Sequence, residues 1–300
     1  MMYISYISNY LLQMSEPNYF NIPYSSLPSL GKLYPESSKI RFRILQIRDL
    51  KYLASMNETN STELVNDMIR RCVRTEGFAI EDLYKMDRLS IIFYLRRNTF
   101  MLSNGYQTEF NCPYCENRVR KSFQIHELAK KDIDKSLLRK IYIDGIEISG
   151  RYQKIFDAEH STNDPDIDLI LNCTDIEGIM QHRSVDELKR KILNLPADQY
   201  SKLKHLASDA MCGIQCYTDI ECDSCFKKMR VGVDLSDEKL FNKVYLTTMI
   251  RNEIQVSKFC GLTITDDMPY NEVELMVSIV NDMIRKEAEA INRAKGRTQR

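Results

Sequence analysis

Apolar and polar positions alternate with two different periods along this chain, and the changes of period divide it into elements. After a Tyr- and Ser-rich opening, NIPYSSLPSLGKLYP carries Pro23, Pro28, Gly31 and Pro35. These residues break helices and fix turns, which predicts an extended, irregular arm. KIRFRILQIR (39–48) sets Ile40, Phe42 and Ile44 on one side and Arg41 and Arg43 on the other, a period-two strand that shifts phase after Ile44. DLKYLASM reads as a short helix. Asn60 followed by Glu63 marks another helix start, with Leu64, Val65, Met68, Ile69 and Cys72 at helical spacing up to Val73. Cys72 therefore falls on an apolar face as a core thiol. Residues 86–102 predict a strongly apolar helix with Asp87 as its cap. Leu89, Ile92, Phe93 and Phe100 face the core of that helix, and Arg96 and Arg97 face solvent. Gly105 ends it, and YQTEF follows as a strand.

Residues 127–213 read as a separate, mainly helical unit. LAKKDIDKSLLRK is amphipathic and mostly polar. KIYIDGIEISG is a hairpin signal, with Asp144-Gly145 between two alternating runs. Ser184 and Glu187 form a capping box at the start of SVDELKRKILNL, and Pro196 separates this helix from ADQYSKLKHLASDAM. Beyond residue 236 the pattern is helical again. LSDEKLFNKVYLTTMIRNEIQVSKF is one element, Gly261 stops it, and YNEVELMVSIVNDMIRKEAEAINRA is a long final helix with a basic, frayed tail, KGRTQR.

Composition narrows the function classes. With 42 Lys+Arg against 42 Asp+Glu, the chain lacks the basic excess of a dedicated nucleic-acid binder. No run of uncharged apolar residues is long enough to span a bilayer. The opening MMYISYISNYLLQ lacks a basic n-region and a cleavage site, so it is no secretory signal. Met14 reads equally well as the initiator, which would make residues 1–13 an upstream extension. Nine cysteines, an odd number, without such a signal point to a reducing compartment. There, clustered cysteines bind metal or pack as small hydrophobes.

Two pairs stand out, Cys112-Pro-Tyr-Cys115 and Cys222-Asp-Ser-Cys225. Aligning Cys115 with Cys225 matches Phe110 to Ile220, Val119 to Met229, Phe123 to Val233 and Ile125 to Leu235. This is an internal repeat of a strand–knuckle–strand unit. Two cysteines three apart in a tight turn aim both sulfurs at one point, and two such turns complete a tetrahedral thiolate cage, the preference of structural zinc. Four protein ligands leave no open position, so the metal would hold structure rather than activate water. A redox CxxC begins a helix after a strand, whereas strand-like segments follow both pairs here. Cys212 and Cys216 lie just before the second knuckle and form an alternative ligand pair. Cys173 and Cys260 read as isolated core thiols.

Signatures of catalysis are thin. His126, His160, His182 and His205 are dispersed, and no HExxH, glycine-rich phosphate loop or GxSxG occurs. The acidic run NDPDIDL lacks the EF-hand pattern and reads as a solvated loop.

The runs LPSLGKLYP, IRFRILQIRDLKYLAS, DRLSIIFYLRRNTFMLSNGYQTEFNCPYC and DIECDSCFKKMRVGVDLSDEKLF resemble the T4-like bacteriophage baseplate hub subunit and hub-assembly family. The resemblance covers the N-terminal part, both knuckles and the C-terminal helices, but not 127–213. It implies a non-enzymatic late protein that acts on other baseplate and hub proteins. Its expected place is the host cytoplasm during assembly, or the tail baseplate of the virion. Cys112, Cys115, Cys222 and Cys225 carry over as zinc-ribbon ligands, and no catalytic residue carries over. The expected fold is α+β, mainly helical with short strands and a split four-cysteine zinc ribbon formed by two CxxC hairpins. The expected organisation is an extension (1–14), an arm with strand and helices (15–110), the ribbon (111–126 and 214–235), an inserted α+β unit (127–213) and a C-terminal helical region (236–300). Residues 15–35 are expected to touch a partner, or alternatively to pack on their own domain. The alternative function is a nucleic-acid-binding zinc-ribbon regulator, since Arg118, Arg120, Lys121, Lys227, Lys228 and Arg230 surround the knuckles. Against it, aromatic interleaving is limited to Tyr114, Phe123 and Phe226.

Overall fold

The computed structural model describes residues 18–100, 106–124, 128–131, 133, 140–143, 145–157, 159, 161–176, 184–241 and 243–298. Residues 1–14 with Met14, Gly105, Ile125, His126, Asp144, His160 and His182, and the side chains of Phe123 and Cys260, lie outside this set. Strands Phe20–Asn21 (β1), Lys39–Phe42 (β2) and Val73–Glu76 (β3) form an antiparallel sheet in that order, with Phe42 opposite both Phe20 and Val73. Ile40 and Phe42 point into the core, as the alternation predicts. The strand stops at Phe42 rather than continuing to residue 48, because Arg43 turns inward. Its buried guanidinium donates to both carboxylate oxygens of Asp49, at 2.6 and 3.1 Å. Burial works against that charge, but the Asp49 hydrogen bonds outweigh it and raise the pKa of Arg43 above its ordinary value. Asp49 also accepts from the Gln46 N–H at 2.8 Å, closing a capping box that starts helix Ile47–Leu53 (α1).

Helix Ser61–Cys72 (α2) follows Asn60 and buries Val65, Met68, Ile69 and Cys72, matching the helical spacing. It passes directly into β3, which the helical reading to Val73 does not anticipate. No glycine or proline marks the change, and the backbone opens to φ −111°, ψ 141° at Val73.

Helix Lys85–Thr99 (α3) is apolar on nearly every side, burying Met86, Ile91, Ile92, Phe93 and Leu95. Two expectations for it are corrected. Arg96 is 7% exposed, with its guanidinium 5.8 Å from the Phe100 ring, and only Arg97 faces solvent. Asp87 does not cap the helix. It lies buried in the first turn and accepts from the Ser29 N–H at 2.9 Å and the Tyr34 O–H at 2.7 Å. The described part of the proline-containing arm is thereby held against its own chain, the second of the two expectations for residues 15–35. Tyr34 stacks on Tyr24 and Phe78, with ring centroids 5.6 and 4.8 Å apart. Gly31 makes the close turn possible: its φ is +73°, and a Cβ there would lie 2.6 Å from the Tyr24 ring.

Burial raises the Asp87 carboxyl above its ordinary value, against the hydrogen bonds from Ser29 and Tyr34. A raised folded-state pKa contributes stability that is complete below the unfolded value and lost as pH rises through the folded one. Asp87→Asn removes the ionisation and keeps one acceptor oxygen, for the Ser29 N–H, while its amide NH2 faces the Tyr34 hydroxyl, which can turn to accept. It is expected to show a flatter decline of stability than the parent between about pH 4 and 7, measured by urea unfolding across that range.

Strands Tyr106–Asn111 (β4) and Arg118–Phe123 (β5) pair with each other. Within the stretch read as amphipathic, Lys130–Lys131 (β6) is a short strand. Lys140–Ile143 (β7) and Ile146–Gly150 (β8) form the predicted hairpin, with Gly145 at φ +79°. The acidic run is a helix, not a solvated loop: Pro165–Cys173 (α4) starts at Asp164, whose carboxylate accepts from the N–H groups of Asp166 and Ile167. Asp168 accepts from Thr162, and Asp166 pairs with Lys204 at 2.5 Å, so these carboxylates are all in structural use. Thr174–Ile176 (β9), which had no sequence signal, adds a third strand beside β8. Helices Val185–Leu193 (α5), capped by Ser184 as predicted, and Ala197–Ala210 (α6) follow. They cover an apolar cluster that contains Ile143, Ile148, Ile170, Leu188, Ile192 and Leu203. Gly213–Ile214 (β10) pairs with β6, and Tyr217–Glu221 (β11) pairs with Lys228–Gly232 (β12).

The expected single helix after residue 236 is two. Asp237–Leu240 (α7) ends at Phe241 (φ −121°, ψ 54°), where Leu240 and Phe241 insert into the core, and Lys243–Cys260 (α8) begins after it. Asp237 is clamped to Arg88 of α3 by two hydrogen bonds of 2.9 and 2.8 Å. Gly261, at φ +64°, stops α8 as predicted. Tyr270–Thr298 (α9) includes most of the tail expected to fray. The main apolar cluster joins the first sheet, α1–α3 and the first turns of α9. The architecture is mixed helix and strand, in line with the α+β expectation. No helix among the described residues is long and apolar enough to cross a membrane.

Candidate metal centre

The strand alternation around each CxxC pair produces two hairpins of the same construction. In the first, Phe110 lies opposite Val119 and Glu109 opposite Arg120. In the second, Ile220 lies opposite Met229 and Asp219 opposite Arg230. The turns match bond for bond. Cys112 N–H donates to Asn117 O at 2.9 Å and Glu116 N–H to Cys112 O at 2.8 Å. Cys222 N–H donates to Lys227 O at 3.1 Å and Phe226 N–H to Cys222 O at 2.9 Å. Glu116 and Phe226 occupy the same place in the two turns and share a left-handed backbone, φ 60° and 58°. A residue in that conformation bends the chain back sharply enough for both cysteines of a knuckle to face one point.

The two knuckles meet. Cys112 Sγ is 3.7 Å from Cys225 Sγ, and Cys115 Sγ is 3.7 Å from Cys222 Sγ. All four sulfurs lie within 4.8 Å of one another, and this set could hold a metal ion. The described cysteines are all free thiols. Val119 and Met229 form the floor behind the sulfurs, with Phe110 and Ile220 beside them. Among the described residues each hairpin pairs only with itself, and two-stranded hairpins are marginal alone, so this small apolar floor is weak support.

Electrostatics point the same way. The backbone N–H groups of Cys225 and Ser224 hold the Cys222 thiol down at about 6. At Cys115 the Asn117 N–H also favours the thiolate. Burial and the sulfurs of Cys112, Cys222 and Cys225 outweigh it and push the thiol up to about 12. One thiolate forms readily and the next forms against it, the condition that a shared cation relieves.

The other sequence candidates lie elsewhere. Cys212 packs beside the cluster of Met86, Ile133 and Tyr152, and its thiol reaches Asp209 O at 3.7 Å. Cys216 is exposed, and neither belongs to the four-sulfur set. Cys72 and Cys173 are buried, and burial raises both thiols. His205 is exposed on α6.

Sequence reasoning missed the acidic partners of the basic residues around the knuckles. Glu109 pairs with Arg118 and Arg120, and both arginines pull its carboxyl below the usual range. Asp219 does the same for Arg230 at 2.9 Å. Lys121 of β5 crosses to Asp223 in the other knuckle at 2.6 Å, and Lys227 lies 4.7 Å from the centre of the Tyr114 ring. Glu109 and Asp219 occupy equivalent places in the repeat, as do Arg120 and Arg230, and that coincidence was the available signal.

No curated protein and no solved structure matches this chain. A family model described as T4 bacteriophage base plate protein matches residues 19–255, which include both hairpins, the sulfur cluster and the first sheet with α1–α3. Over that span, most of its length, the chain belongs to the T4 bacteriophage base plate protein family.

Proposed function

We propose that this chain is a non-enzymatic component or assembly factor of the baseplate hub, working through contacts with other baseplate proteins and stiffened by one structural zinc ion. The family match over residues 19–255 carries the reading. The groups a catalytic site would draw on support the non-enzymatic part. Arg43 with Asp49, Arg88 with Asp237, and Asp87 with Ser29 and Tyr34 are each used to join elements.

Cys112, Cys115, Cys222 and Cys225 are the proposed ligands. Sulfurs at about 2.3 Å from a tetrahedral zinc stand about 3.8 Å apart, which the 3.7 Å separations across the knuckles fit. An all-cysteine set favours zinc over oxygen-seeking cations and keeps no position for water, so the ion clamps the two hairpins as a split ribbon. The proposed organisation places the ribbon at 111–126 and 214–235, with 127–213 inserted between its halves, 15–110 before it and 236–300 after it.

The test is purification of the chain from infected cells, followed by elemental analysis and identification of co-purifying proteins. One zinc per chain, together with other baseplate proteins, is the expected result. Affinity for DNA falling steeply with salt would favour a nucleic-acid regulator instead. The ion-paired state of Arg118, Arg120, Lys121 and Arg230 argues against that outcome.

A further inference from the structure

The four clustered sulfurs come from two hairpins that share no strand pairing among the described residues, so the half-sites need other contacts to hold them in register. The apolar floor behind the sulfurs brings the hairpins close without orienting them, because apolar contact is non-directional. Two polar contacts cross from one hairpin to the other. Lys121, on β5 of the first hairpin, places its Nζ 2.6 Å from Asp223 Oδ1, and Asp223 directly follows Cys222 in the second knuckle. In the opposite sense, Lys227 of the second hairpin lies 4.7 Å from the centre of the Tyr114 ring, and Tyr114 directly precedes Cys115 in the first knuckle. Each lysine thus leaves one hairpin and holds a residue next to a cysteine of the other.

The neighbouring arginines do not cross. Arg118 and Arg120 pair with Glu109 inside the first hairpin, and Arg230 pairs with Asp219 inside the second. We infer that Lys121 and Lys227 are positioning residues for the metal centre, holding the two knuckles in the register in which four sulfurs meet one ion. The inference rests on the zinc reading above. Such contacts act by preorganisation: knuckles already held together have less freedom to lose when the ion binds. Charge alone offers a rival account, and it differs in sign at Asp223. One divalent cation on four thiolates makes a net-negative complex, so a nearby cation strengthens its formation and a nearby anion weakens it. On that account Asp223→Asn tightens zinc binding. If Asp223 instead anchors Lys121, the same change weakens it.

Competition for zinc between the full chain and a chromophoric chelator tests this, after elemental analysis of the parent protein for zinc per chain. Lys121→Gln, Asp223→Asn and Lys227→Gln are each expected to weaken zinc binding about two- to fivefold, the worth of an exposed ion pair or cation–ring contact. Lys121→Gln combined with Lys227→Gln should weaken it about tenfold. Lys121→Arg, which can still reach Asp223, should bind zinc as the parent does. Arg230→Gln, which loses the same charge from a pair inside one hairpin, should also leave the affinity unchanged. A double lysine variant that binds zinc as tightly as the parent would overturn the inference while leaving the zinc site standing. So would tighter binding by Asp223→Asn, or an Arg230→Gln loss as large as that of Lys121→Gln. A parent protein that holds no zinc would overturn the zinc reading, and this inference with it.

Discussion

Cys222→Ser is expected to abolish zinc binding and to unfold both hairpins together. Serine leaves three sulfurs and an oxygen donor that stays protonated near neutral pH, so the cage loses both charge and geometry. Structural zinc sites supply apparent binding energies of about 10–16 kcal/mol, against a net stability of about 5–15 kcal/mol for a whole protein. Cys112→Ser should behave the same way, because its sulfur stands 3.7 Å from Cys225 in the other hairpin. Cys216→Ser, which alters an exposed thiol outside the cluster, should keep one zinc per chain. Metal content by elemental analysis, read beside a thermal melt, separates these outcomes. Full zinc retention in the Cys112→Ser/Cys225→Ser double variant would remove the site. Chelation should reproduce the unfolding in the parent protein, and more readily in acid, where protons compete for the sulfurs.

Asp49→Ala is expected to cost about 3–5 kcal/mol, read as a lower urea midpoint at unchanged slope. The size follows from burial: Arg43 is 4% and Asp49 1% exposed, so removing the carboxylate strands a guanidinium in the core. The same change removes the acceptor for the Gln46 N–H that starts α1. Replacing both partners with apolar residues, Arg43→Met with Asp49→Leu, should recover most of the loss, because no charge is then left unmatched. A single variant as stable as the parent would show that water reaches this pair.

What could be read from the residues, and what could not, divides by the range of the interaction. The knuckles were legible because a three-residue cysteine spacing and an alternating flank are local patterns, and the second copy repeated the first. The pairing of Phe110 with Val119 and of Ile220 with Met229 follows that alignment. Helix α2 and the Gly145 hairpin were equally local. The buried charges were not. Arg43 and Arg96 follow the default that a charged residue faces water, and Asp87 the default that an acid at a helix start caps it, until the tertiary fold overrides both. The partners of Asp87 lie more than fifty residues away, at Ser29 and Tyr34. Strand β3 was hidden because a helix ran into it without a turn residue. The break after Leu240 was hidden because it comes from two side chains choosing the core over the helix axis. At the candidate metal centre the clustering cysteines were visible, but the ion pairs around them were not, since a basic cluster looks the same in sequence whether or not acids neutralise it.

The cluster also sets an order of events during folding. Cys115 and Cys222, whose sulfurs touch in the native state, are separated by 107 positions in the chain. Closing a loop of that length in a disordered polypeptide costs about 4 kcal/mol of chain entropy before any contact repays it. Contacts this distant form slowly. The pairing of Lys131 with Gly213 draws the same two stretches together just inside the cysteines, so the intervening chain can settle first and deliver the sulfurs as neighbours. With the proposed ion bound there, its capture would come as a late, locking step rather than as the nucleus.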